Sequence, residues 1–342
     1  YVPRPALQFW GPFTASDTIR LEVGRDTVPG LRTGNAVIRV TASRAPTWLR
    51  RPEPAIGELA LPVRLTPPSL QITSAQTYIA QGGCEAVTYR VGEASVRDGV
   101  RLGNWWFPGY QLPGGAKQDR FALFAVPYDS ADPNVRLVAI DGAGNEAEIP
   151  CIDKFFPKPF KTDTIDVTDA FMAKVVPEIL SQSPEIQDRG NMLDNYLAIN
   201  GELRRKNAEV LKDLAARTRL EFLWSGSFSM MPNGKVMSAF ADRRTYRYQG
   251  RVVDHQDHLG FDLAVTQHAA VPASNSGVVV LARYFGIYGN SVVIDHGYGL
   301  MTLYGHLASI NVKEGQKAGA GEILGTTGKT GLAGGDHLHF TT

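Results

Sequence analysis

Residues 289–307 read GNSVVIDHGYGLMTLYGHL. Two apolar runs, SVVIDHG (291–297) and LMTLYGHL (300–307), flank a Tyr-Gly pair. Glycine accepts the positive φ of a tight reversal, so the stretch reads as two adjacent antiparallel strands. GVVVLARY (277–284) has the same character, and glycines punctuate the chain on both sides. Residues 223–342 therefore predict a C-terminal antiparallel β-sheet domain.

Upstream, residues 156–222 change character. Thr168 fits an N-cap, and Phe171, Met172, Val175, Val176, Ile179 and Leu180 follow at helical spacing. Pro177 is expected to bend or restart that helix. Tyr196, Ile199, Leu203, Val210 and Leu214 form a second apolar stripe in a charged segment. The region reads as a helical connector whose charges form a solvated face.

Further upstream the pattern is β again. IRLEV (19–23) and AVIRVTA (36–42) alternate, RRPEP (50–54) reads as a loop and LTPPSLQI (65–72) as a domain joint. AVTYRV (86–91), FALFAVPY (121–128) and VRLVAIDGAGNEAEI (135–149) are strand-like, with DGAGN as a turn. The fold class is thus mainly β. Two small β-sandwich domains of immunoglobulin type, 1–66 and 67–155, precede the connector and the C-terminal domain. The Trp105–Trp106 pair is assigned to the sandwich core.

Composition sets outer bounds. The 342 residues are 43% hydrophobic and 20% charged, with 35 glycines and 21 prolines. This excludes a collagenous, coiled-coil or disordered chain. Lys and Arg total 35 against 34 Asp and Glu, so no charge excess points to nucleic acid or an acidic membrane. The longest run without Asp, Glu, Lys or Arg, Leu263–Ala282, carries Pro272, Asn275 and Gly277 and is no membrane span. Cys84 and Cys151 are too few for a zinc finger; they are either a disulfide or two inert thiols, and the disulfide is expected. The start at Tyr1 without a signal-like apolar stretch leads to the expectation that a signal or anchor has been removed.

All seven histidines lie between His255 and His339. His258-Leu-Gly-Phe-Asp262 sets an imidazole and a carboxylate four residues apart around a glycine. His337-Leu-His339 sets two imidazoles at i and i+2, which on a strand share one face. Tyr304-Gly-His306 repeats that spacing. Two His and one Asp suit Zn²⁺ and leave a fourth position for water, the catalytic pattern. The remaining pair could move protons. His255 reads as a solvated loop residue, His268 as structural and His296 as a strand-end residue. No Gly-x-Ser-x-Gly elbow supports a serine hydrolase.

These residues, together with the glycine pattern of 312–331 and GGDHLHF (334–340), resemble the lysostaphin-type zinc endopeptidases of the duplicated-hybrid-motif fold. The resemblance covers about residues 226–342. It implies His258, Asp262 and His339 as ligands of one Zn²⁺, His306 and His337 as catalytic histidines, and hydrolysis of peptide cross-links between peptidoglycan stems. It also implies residence in the bacterial cell envelope, periplasmic or secreted. Tyr304, Asn290 and Arg244 are candidate substrate contacts, Arg244 through bidentate binding of a carboxylate. Two departures stand out: His268-Ala-Ala-Val271 replaces a common Gly-Thr-Pro-Val turn, and Asp336 stands where proline is frequent. The end at Thr342, three residues past His339, leads to the expectation of a trimmed C-terminus. The alternative reading is a catalytically silent module that activates another cell-wall hydrolase. The N-terminal β-domains are expected to engage an envelope partner or to cover the catalytic groove, with hinges at 157–161 or 225–229.

Overall fold

A computed structural model describes residues 18–21, 23–24, 26–43 and 53–342. They fall into two compact units. One runs through Ile79 and takes in Cys84–Phe124 and Asp132–Phe155; the other comprises Ala80–Gly83, Ala125–Ala131 and Phe156–Thr342.

In the first unit, strands Gly34–Ala42 and Ala55–Val63 pair as an antiparallel ribbon. Its side chains are almost all exposed. The described residues of IRLEV form no strand, because a turn in which Thr27 caps Gly24 follows at once. Residues 50–52 of the expected RRPEP loop lie outside the described residues. The sandwich has two four-stranded sheets. One runs Glu146–Pro150, Val135–Asp141, Ser95–Leu102, Trp105–Pro108; the other runs Leu70–Ile72, Cys84–Val91, Asp119–Ala125, Tyr110–Gln111. Val87, Val100, Phe121 and Leu137 are buried, and the Tyr89 hydroxyl donates to Asp98 Oδ1 at 2.5 Å. Trp105 departs from the expected core. It sits 59% exposed on an edge strand, while Trp106 lies under the Arg97 guanidinium. The expected disulfide is absent: Cys84 and Cys151 are free thiols, Cys84 exposed at the start of a strand in one sheet and Cys151 buried beyond the edge strand of the other.

In the second unit, α1 (Asp169–Gln182) starts where Thr168 Oγ1 accepts the Phe171 N–H at 3.2 Å, and it runs through Pro177 without ending. Next come α2 (Met192–Ala198), a π-helical turn (Ile199–Leu203) and α3 (Arg204–Ala216). This segment differs from a free-standing connector. Met172, Val175, Val176, Ile179, Tyr196, Ile199 and Leu203 share one core with Leu281, Val293 and Leu303 of the C-terminal sheet and with Phe285, Ile287 and Tyr288 between its strands. The region also holds a strand, Thr162–Val167, that pairs in parallel with Asp242–Tyr248. A parallel pair needs a long crossover, which the helices supply.

The quoted hairpin lies within a seven-stranded sheet. The order is Lys235–Ser238, Phe261–Ala264, Leu338–Thr341, Leu300–Gly305, Asn290–Gly297, Gly277–Tyr284, Lys317–Ala318, and every neighbouring pair is antiparallel. A second core, including Leu263, Val279, Ile294, Tyr304 and Leu338, forms within the same unit. The 225–229 stretch is pinned rather than hinge-like. Asn275 Nδ2 donates to the Ser225 and Ser227 carbonyls, and Ser229 N–H donates to the Ser274 carbonyl. Among the described residues no helix is long and apolar enough to cross a membrane.

Candidate metal centre

Sheet register brings the site together. Asp262 pairs with His339 across the Phe261–Ala264 and Leu338–Thr341 strands, and His339 pairs with Gly305 on its other side. His258 closes the Arg251–His258 strand opposite Asp242. Gly260 lets that strand turn back under the site. A Cβ there would lie 2.5 Å from His339 Nε2 and 2.9 Å from the Phe340 carbonyl, so only glycine fits without displacing the ring.

Three atoms converge. His258 Nε2 lies 2.9 Å from Asp262 Oδ1 and 3.1 Å from His339 Nδ1, and His339 Nδ1 lies 3.0 Å from Asp262 Oδ1. His258 Nδ1 faces the Ala239 carbonyl at 3.1 Å, an acceptor, which places the ring proton on Nδ1 and a lone pair on Nε2. That lone pair points at a carboxylate oxygen. A single proton on His339 Nδ1 could bridge only one of the remaining contacts, while a cation satisfies all three. The fit to a metal is therefore read from the donors: two imidazole nitrogens and one carboxylate oxygen, mostly buried, with no fourth protein ligand among the described residues. His339 Nε2 is buried without a partner, since the Gly260 backbone occupies that side.

His306 and His337 stand beside this set, their ring centroids 4.8 Å apart. His306 Nδ1 donates to the Thr330 carbonyl at 2.8 Å and His337 Nδ1 to the Gly335 carbonyl at 2.9 Å, so each presents an unprotonated Nε2. His337 Nε2 lies 3.5 Å from Asp262 Oδ1. His306 adopts φ 63°, a left-handed conformation held by its N–H donating to the Tyr288 carbonyl at 2.7 Å.

Electrostatics follow from burial and from one carboxylate among four imidazoles. Burial raises the Asp262 carboxyl, but the neighbouring imidazoles of His258, His337 and His339 outweigh it, holding the group far below the usual range. Burial holds His306 well below an ordinary imidazole, reinforced by His337 and His339. Burial brings His339 down to about 4 against the pull of Asp262. Burial also lowers His337, but the adjacent Asp262 carboxylate, which favours the charged ring, exceeds it, and the net shift is upward. Arg244 Nη2 donates to Asp262 Oδ2 at 3.0 Å and to Ser238 Oγ at 2.8 Å.

The site opens into a cavity of about 420 Å³ lined by His258, Asp262, His306, His337, His339 and Arg244. Two expected substrate contacts are not among its lining residues. Tyr304 is 1% exposed, and its hydroxyl accepts the Ser274 N–H at 2.7 Å inside the second core. Asn290 is held by backbone bonds to Thr330 Oγ1 and the Leu307 N–H. His255 is exposed on a strand rather than in a loop. His268 sits in a turn with φ 58°, and His296 is buried between the Ser276 carbonyl and Thr302 Oγ1. The sequence reading missed the wall formed by Phe171, Tyr196 and Arg204 of the helical segment, with Tyr246 and Tyr288. Arg204 begins an Arg-Arg-Lys run that reads as solvated, and only its position after Leu203 in the apolar stripe hinted otherwise.

Residues 256–342 match the Peptidase family M23 model. Over 172 residues, 49% of this chain, it is 35% identical to peptidoglycan DD-endopeptidase ShyA of Vibrio cholerae serotype O1, covering 37% of that protein. Over 83 residues, 24% of this chain, it is 43% identical to DD-carboxypeptidase/endopeptidase Mpg of Neisseria meningitidis serogroup B, covering 19% of that protein. The chain thus spans well under half the length of these relatives. The crystal structure of a zinc-containing peptidase from Vibrio cholerae superposes on 34% of this chain and 36% of its own, with 34% identity and a TM-score of 0.30.

Proposed function

We propose, from the lysostaphin-type family M23 domain in which this chain ends, that it is a zinc-dependent endopeptidase cleaving peptide cross-links of bacterial peptidoglycan in the cell envelope. The observation that carries this reading is the convergence of His258 Nε2, Asp262 Oδ1 and His339 Nδ1 beside two further imidazoles with fixed Nε2 lone pairs. Those three atoms would hold one Zn²⁺ per chain. Bound there, the ion would supply Lewis acidity and bring the pKa of a water from 15.7 to about 7.

The rest is the work of the chain. Thr330 and Gly335 fix the tautomers of His306 and His337, so one Nε2 accepts the proton of the attacking water. Once protonated, that same Nε2 returns the proton to the departing amine. Arg244 holds Asp262 through the oxygen that does not face the imidazoles. The cavity falls within the usual size of ligand sites, about 300–1,000 Å³, and admits a short peptide segment. The alternative of a silent activating module has no support here, since all five residues are present and mutually placed.

The test is digestion of purified sacculi by the full chain with and without a chelator, with the released fragments identified by mass. Zinc-dependent release of un-cross-linked stems supports the reading. Intact cross-links at full zinc occupancy overturn it.

A further inference from the structure

Arg204 lines the cavity, yet it comes from a helical segment about 50 residues before the family match begins. It sits where the π-helical turn Ile199–Leu203 passes into α3; such turns recur at functional sites because they re-aim a side chain at a cost in helix geometry. Its guanidinium is braced from one side. Nε donates to the Asn200 carbonyl at 3.0 Å and Nη2 to Asn200 Oδ1 at 2.8 Å. Asn200 is itself fully buried, and its Nδ2 donates to Asp254 Oδ2 at 2.7 Å, which sets the amide so that oxygen faces the arginine.

Two braced N–H groups leave three of the five in the fork to be used. Among the described residues no carboxylate lies within ion-pair distance of Arg204. Several cations of the neighbourhood are paired: Arg244 with Asp262, Arg247 with Asp166, and Arg189 and Lys206 with Glu202. Aromatic side chains of Phe171, Tyr196 and Tyr246 share the wall, so a charge pair formed there would be poorly screened.

We infer that Arg204 is a substrate-binding residue that selects peptides carrying a free carboxylate next to the scissile bond. A half-buried guanidinium held in one orientation with no counter-ion matches a carboxylate bidentately and has already given up much of its rotamer freedom. The inference rests on the proposed peptidase reading and adds to it the chemical class of the neighbouring substrate residue.

The test uses the full chain and two synthetic cross-linked peptides that differ only in that carboxylate, free in one and amidated in the other. Binding is measured by calorimetry with turnover blocked by zinc removal, and kcat/KM is measured with zinc present. Wild type is expected to favour the free acid about 10- to 100-fold in both measurements, the range set by charged hydrogen bonds. Arg204→Met should abolish the preference by weakening the acid alone, and Arg204→Lys should restore part of it. Zinc content and the thermal transition should match wild type in the Lys variant, which guards against misfolding. Equal handling of acid and amide by wild type, or an equal loss on both in Arg204→Met, would overturn the inference. If neither peptide is cut but the acid still binds through Arg204, the peptidase reading fails while carboxylate recognition by Arg204 stands.

Discussion

Replacing Ile179 by Ala asks whether the helical segment belongs to the fold of the C-terminal sheet or merely precedes it. Ile179 is 0% exposed and lies in the core that joins α1 and α2 to Leu281, Val293 and Leu303 of the sheet and to Phe285 and Ile287 between its strands. The substitution removes three carbons, each worth about 0.8 kcal/mol of transfer free energy. The cavity left behind adds to this, for a total of about 3–4 kcal/mol within the usual range for such truncations. At about 2–4 °C per kcal/mol for a domain of this size, the transition should fall by about 6–16 °C. Scanning calorimetry of the full chain identifies the relevant transition as the one that zinc raises and a chelator lowers. A segment acting only as a linker would leave that transition in place, so an unchanged zinc-linked transition refutes the shared core. A fragment starting at Glu221 sharpens the test. It strips the helical half from a core whose sheet-side residues would each lose about 1.5–3 kcal/mol on exposure, more in total than a domain's usual net stability. It should show no cooperative unfolding; a cooperative transition at the wild-type temperature would be equally damaging to the argument.

Three further outcomes follow from the site and the thiols. His339→Ala should lose both zinc and hydrolysis, whereas His306→Ala should retain about one zinc by metal analysis and lose roughly 10²–10⁴-fold in rate; equal zinc loss in both would refute the division between holding metal and moving protons. Gly260→Ala places a carbon 2.5 Å from His339 Nε2 and should weaken zinc by about 10- to 100-fold in a chelator competition, while unaltered affinity would show that the ring yields freely. Under denaturing, non-reducing conditions both Cys84 and Cys151 should titrate as free thiols. In the native chain burial pushes Cys151 up to about 12, so its alkylation should be negligible near pH 8, rise about tenfold per pH unit above that, and speed up on unfolding. The same shift favours the neutral thiol in the fold, so stability from this group is present below the ordinary thiol range and is lost as pH rises beyond it.

What the sequence disclosed and what it hid divide along the reach of each interaction. HLGFD and HLHF were legible because a turn around Gly260 and a strand period of two fix where their side chains point, and the Asp262–His339 register follows once the strands pair. The hairpin of 291–307 was legible for the same local reason. Tyr304 misled because the period that aims His306 toward the site sends a residue two positions earlier into the second core, once His306 takes its left-handed φ and breaks the alternation. Nothing local marks that break. The apolar stripes of α1 and α2 announced helices but not their partner, because a stripe states only that something covers it. Here the cover is Phe285, Ile287 and Tyr288, roughly a hundred residues away in sequence, and Tyr288 in turn supplies the carbonyl that holds His306. The segment that looked like a spacer is thereby tied to the geometry of the candidate site at its backbone. Asn207 Oδ1 on α3 accepts the Ile287 N–H at 3.0 Å, and Glu178 on α1 accepts the Gly331 N–H at 2.9 Å, next to the Thr330 carbonyl that orients His306. Both bonds cross from the helices to the two loops that fix the His306 backbone and ring. A motion that lifted these helices off the sheet would therefore unset the site as well as expose it. Any control over access to the cavity must act with the helical segment in place.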